Sequence, residues 1–93
     1  MALLTAGPAD TSTAWRLSSQ VSLRDESFGA LAYHHVTRRL VFLKSPTLVE
    51  LVRRLEEFES ANAALDVLAP PGQRARYQKA LVSLWGSEII CGR

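Results

Sequence analysis

A single cysteine, Cys91, stands among 93 residues, so neither an internal disulfide nor a cysteine-rich metal site can form within the chain. That thrift suits a reducing compartment, and the chain is read as cytoplasmic. No run approaches the roughly 18 consecutive apolar residues of a membrane span. The opening Met1-Ala2-Leu3-Leu4-Thr5-Ala6-Gly7-Pro8 has neither the basic stretch nor the long apolar stretch of a secretory signal. The glycine loops that cradle dinucleotides or nucleoside triphosphates are missing. Lysine is scarce: of eleven cations only Lys44 and Lys79 are not arginine. A net charge of +2 is too small for a chain that lives on nucleic acid by neutralising phosphates.

What remains is ordinary globular material, 47% apolar and 22% charged. Its length closes one small core. Residues 1–13, mostly Ala, Thr, Ser, Gly and Pro, have little to bury and read as a flexible lead-in. Residues 14–93 then form a single domain.

Trp15-Arg16-Leu17-Ser18 and Val21-Ser22-Leu23-Arg24 alternate apolar and polar, the period of a half-buried strand. Asp25-Glu26-Ser27 reads as a turn. Phe28 to His34 is a second strand, in which Gly29, Ala30 and Ala32 leave room for close packing. Arg39-Leu40-Val41-Phe42-Leu43 is a third, rich in branched and aromatic side chains. The short connections make these strands an antiparallel meander whose third strand is an edge.

Ser45 and Pro46 supply an N-cap and a first helical residue. Leu48, Leu51, Val52, Leu55 and Phe58 then recur at helical spacing, with Glu50–Arg54 and Arg53–Glu57 as i,i+4 pairs. Ser60 caps a short second helix, which Ala69-Pro70-Pro71-Gly72 ends. A third runs from Gln73 to Trp85 and stops at Gly86. The tail Ile89-Ile90-Cys91 returns against the sheet or closes the core. Segregated strands and helices make this an α+β fold. It is winged helix-turn-helix-like, a three-stranded antiparallel sheet followed by three helices.

Chemistry-bearing clusters are thin. His34 and His35 point to opposite faces of a strand, so they do not share a metal. Cys91 has no base beside it in sequence. No nucleophile, base and orienting group form a set. The chain is therefore read as a non-enzyme without cofactor or metal. The open third strand offers unpaired main-chain groups to another strand, and the third helix adds Tyr77, Leu81 and Trp85. Together they would form a groove that takes a peptide as an extra strand. Arg38, Arg39 and Lys44 on one side, and Arg74, Arg76 and Lys79 on the other, would give it a positive rim. A proline at Val41, which removes a ladder donor, is the expected way to close it.

Five stretches carry a family likeness: Trp15-Arg16-Leu17, Gln20-Val21-Ser22-Leu23-Arg24, Phe28-Gly29-Ala30-Leu31-Ala32-Tyr33-His34, Thr37-Arg38-Arg39-Leu40 and Phe42-Leu43-Lys44-Ser45-Pro46-Thr47-Leu48. This middle half of the chain resembles the small chaperones of the mycofactocin pathway, relatives of the pyrroloquinoline quinone pathway chaperone. The resemblance implies the class fold of three strands followed by three helices. It implies binding of the acidic leader of a mycofactocin precursor peptide between the third strand and the third helix. It implies delivery to a radical S-adenosylmethionine maturase, the chaperone itself doing no chemistry and holding no cofactor. Carried over by position, the binding strand is Arg39, Leu40, Val41, Phe42 and Leu43. Spacing alone adds Arg74, Tyr77, Gln78 and Leu81 on the helix.

Two rival readings stand beside it. A winged-helix DNA-binding protein would concentrate cations on its recognition helix, yet residues 45–93 carry six cations against six anions. A homodimer could pair through the open edge strand by two-fold symmetry.

Overall fold

The computed structural model describes residues 9–93. Five strands and three α-helices follow one another: β1 (Trp15–Leu17), β2 (Val21–Glu26), β3 (Gly29–His34), β4 (Leu40–Leu43), α1 (Pro46–Arg54), α2 (Ala61–Leu68), α3 (Arg74–Gly86) and β5 (Ile90–Gly92). Strands β2, β3 and β4 form the expected antiparallel meander with β4 at one edge. No helix of the described residues is long and apolar enough to cross a membrane.

The first strand departs from expectation. Trp15–Leu17 leaves the meander and pairs with β5, Arg16 opposite Cys91, so the apolar tail closes a separate two-stranded ribbon. The chain turns back after α3 because Glu88 takes φ 64, and its amide donates to the Trp85 carbonyl at 3.0 Å. Glu88, not Gly86, holds the left-handed position. The ribbon packs Trp15, wholly buried, against Trp85 with ring centroids 4.6 Å apart. Trp15 Nε1 donates to the Asp10 carbonyl at 3.0 Å.

Of the expected lead-in, residues 1–8 lie outside the described residues. Residues 10–13 are tied to the fold, since the Thr13 and Thr11 carbonyls accept from the amides of Ala61 and Asn62 at 3.0 and 2.8 Å. They satisfy two of the free N–H groups that every helix start leaves over, here at α2.

The hairpin β2–β3 is tighter than the sequence suggests. Strand β2 continues through Asp25 and Glu26, and Glu26 pairs with Gly29 across the two-residue turn Ser27-Phe28. Gly29 has φ 149, and a Cβ there would stand 2.0 Å from the Leu43 carbonyl oxygen. The room left by this glycine is therefore filled by the end of β4.

Helix α1 begins as expected, the Ser45 side chain accepting from the Leu48 amide at 3.3 Å with Pro46 next in line. It tightens into a 3-10 turn at Leu55–Glu57. That tightening brings Glu57 three residues on to Arg54, at 3.1 Å, while Glu50 holds the same guanidinium at 3.1 Å. Arg53 reaches Asp25 on β2 at 2.8 Å instead of the expected Glu57. Leu51, Val52, Leu55, Leu65, Leu81 and Ile89 fill the core beneath the sheet's inner face. Each full burial of such a side chain contributes about 1.5–3 kcal/mol.

Candidate functional site

The edge strand sorts its groups into four directions. The His34 amide donates to the Arg39 carbonyl at 2.9 Å, which makes His34 and Arg39 a hydrogen-bonded pair. Antiparallel ladders alternate, so Ala32–Val41 and Ala30–Leu43, in the same register, are bonded pairs too. Val41 and Leu43 therefore spend their main-chain groups on β3. Leu40 and Phe42 turn theirs outward, to the side where β4 has no neighbouring strand among the described residues. A proline at Val41 would break the sheet itself, and Phe42 is the position that tests the outer edge.

The side chains alternate perpendicular to that edge. Leu43 is fully buried and Val41 half-buried on the inner face, over Ala30 and Ala32. Leu40 and Phe42 stand on the outer face, each 54% exposed. Arg39 is exposed at the head of the strand, its amide donating to Thr37 Oγ1 at 3.3 Å. Four of the five strand residues taken from the sequence thus make up β4, and Arg39 directly precedes it.

The four helix residues divide. Tyr77 is buried and its hydroxyl lies 3.0 Å from Ser45 Oγ, joining α3 to the residue that follows β4 and Lys44. Leu81 is wholly in the core. Arg74 binds Asp66 at 2.6 Å and Asn62 at 3.1 Å on α2, and Gln78 donates to Thr11 Oγ1 at 3.5 Å. Arg74 and Gln78 therefore face α2 and the 10–13 segment. Helical spacing puts Arg76, Ala80 and Ser83 on the opposite flank of α3, none of them fully buried.

The cations expected as a groove rim are also redistributed. Arg38, held at φ 65 in the β3–β4 turn, donates from Nε to the Tyr33 hydroxyl at 2.8 Å. Lys44 lines a hollow with Phe28 and Phe42. Both lie on the outer face of the sheet.

The histidines behave as their strand position dictates. His34 is buried, and its Nδ1 accepts from the amides of Val36 and Thr37 at 3.2 and 3.1 Å, which puts the ring proton on Nε2. His35 is exposed and bonds Ser22 Oγ through Nε2 at 2.6 Å. His34 and Cys91 border a cleft of about 460 Å³ that Val36, Trp85 and Glu88 help to line. Among the described residues no group of three His, Cys, Asp or Glu is placed to hold a metal ion.

The profile of the peptide chaperone MftB family matches residues 14–91, which spans the ribbon, the meander and all three helices. The chain belongs to this family. The peptide chaperone MftB of Mycobacterium ulcerans is 40% identical over 86 residues, covering 91% of this chain and 79% of its own length. That of Mycolicibacterium smegmatis is 43% identical over 82 residues, covering 87% and 80%. The expected membership among mycofactocin peptide chaperones is thereby shown. A lasso peptide synthetase B1, solved in complex with a leader peptide, shares the fold. It superposes with a TM-score of 0.62 at 20% identity, over 84% of this chain and 98% of its own. Within the MftB family frame, the strand and helix that the sequence singled out are β4 and α3.

Proposed function

We propose that this chaperone binds the leader of the mycofactocin precursor peptide as a strand added to β4, in the groove between β4 and α3. It then presents the peptide to a radical S-adenosylmethionine maturase. The observation that carries this reading is the outward main chain of Leu40 and Phe42, an edge without a neighbouring strand among the described residues of a peptide chaperone. An added strand would exchange hydrogen bonds with both residues, and its alternate side chains would give selectivity. On the helix side we assign Arg76, Ala80 and Ser83, the flank of α3 opposite Arg74 and Gln78, to the groove, and Tyr77 joins α3 to Ser45. Arg39 and Arg76 favour an acidic leader. The binding module is winged helix-turn-helix-like, and catalysis belongs to the maturase. Arg74 is committed to Asp66, so α3 lacks the full stripe of free cations a DNA-reading helix would carry.

The test is calorimetric titration with the leader, its scrambled form and two variants at one position. Phe42→Ala removes the ring and keeps the amide. Phe42→Pro also removes the outward N–H without touching a bond to β3. The leader binds and the scrambled peptide does not, and Phe42→Pro binds at least about threefold more weakly than Phe42→Ala, the effect of one lost net hydrogen bond. Equal affinities of the two variants would exclude strand addition at β4.

A further inference from the structure

The outer face of the β2–β3–β4 sheet is apolar where a free-standing sheet is usually polar. Leu40 and Phe42 are each 54% exposed and Phe28 is 41% exposed, its ring edge-on to Phe42 at 5.9 Å. Leu31 and Tyr33 join them across the register from Phe42 and Leu40. Two hollows indent this face, about 280 Å³ beside Arg24, Leu31 and Leu40, and about 220 Å³ between Phe28, Phe42 and Lys44. Three cations stand around it: Arg24 beside one hollow, Lys44 beside the other, and Arg38 on the Tyr33 hydroxyl. The acid at this rim, Glu26, is already held by Arg24 at 2.6 Å. A contiguous apolar patch with a polar rim marks an interaction surface.

The rim selects the occupant. A second copy of this chain would bring Arg24, Arg38 and Lys44 against their own kind, and like charges at a rim reject a partner. The face fits a protein surface that is apolar at its centre and acidic at its margin. Leu40 and Phe42 tie it to the peptide: their side chains stand on this face while their main chain forms the outward edge of β4. A strand added there would extend the same face with its own alternate side chains. We propose that the maturase docks on this outer face through an acidic-rimmed apolar patch, touching chaperone and leader together. The proposal rests on the leader-binding reading for the identity of the partner.

The experiment measures binding of the purified mycofactocin radical S-adenosylmethionine maturase to the full chain, alone and loaded with leader. Wild type is compared with Phe28→Asp and Arg24→Glu, both exposed and neither on β4, Phe28 lying in the β2–β3 turn and Arg24 on β2. Each variant is expected to weaken maturase binding about tenfold, with leader affinity within about twofold of wild type. The Arg24→Glu loss should shrink at high salt. Unchanged maturase affinity in two folded variants would overturn the proposal, as would failure of the wild type to bind the maturase with or without leader. Self-association of the wild type that either variant abolishes would overturn it in favour of a second copy. Failure of the leader to bind would count against the leader reading alone, because the maturase arm is also read on the free chaperone.

Discussion

Ser45 Oγ and Tyr77 OH lie 3.0 Å apart, and the same serine oxygen accepts from the Leu48 amide at 3.3 Å. One hydroxyl thus caps α1, marks the end of the edge-strand segment and fixes where α3 stands beside it. Ser45→Ala should destabilise the fold by about 1 kcal/mol as a lost cap. Tyr77→Phe should cost about 0.5–1.5 kcal/mol as a lost hydrogen bond. Urea denaturation of both singles and the double variant should give less than the sum, because the two changes remove one shared contact.

Gly29 is the tightest backbone approach described here. Gly29→Ala must move the Leu43 carbonyl, 2.0 Å from the new Cβ, and strain a residue at φ 149. The expected loss exceeds about 2 kcal/mol. Because the clash falls on β4, leader affinity should fall further than global stability accounts for. A variant that melts and binds like wild type would contradict the placement of β4.

The proposed placement of the leader gives Arg74 a part in the fold, through Asp66 and Asn62, and none in the groove. Arg74→Ala should leave leader affinity within about twofold and lower stability by no more than about 1 kcal/mol, since its pair with Asp66 is exposed. A tenfold loss of leader affinity in the folded variant would return Arg74 to the groove.

Asp10 anchors the segment before β1. Its carboxylate accepts from the Ser12 hydroxyl at 2.6 Å and the Ser12 amide at 3.0 Å, which lowers its pKa from the ordinary value, the hydroxyl bond contributing most. A lowered folded pKa means a stabilising contribution that is present above the ordinary carboxylate value and lost as pH falls through the folded one. The Ser12 amide resonance should therefore follow the Asp10 titration at a pH below that of an exposed aspartate. Asp10→Asn should remove this dependence.

The fold was legible where a single period decides. Leu48, Leu51 and Val52 place α1, Ser60 places the start of α2, and Tyr77, Leu81 and Leu84 give the buried stripe of α3. Periodicity names a face but not the neighbour that meets each flank. Spacing alone therefore does not report that Arg74 and Gln78 bond to α2 and Thr11. The pairing of β1 with β5 joins residues more than 70 positions apart, and no local pattern reports it. The edge strand itself carries a readable signal of its exposed outer face: Leu40-Val41-Phe42-Leu43 is apolar on both faces, whereas an edge strand covered on one side alternates.

Amide hydrogen exchange, read residue by residue with and without leader, tests strand addition at β4 most directly. In the free protein Val41 and Leu43 should be protected by β3, and Leu40 and Phe42 should exchange quickly. Saturating leader should slow Leu40 and Phe42 and leave the scrambled peptide without effect. If leader binds and these two amides exchange as before, the peptide lies elsewhere and the account of β4 as its docking edge is wrong.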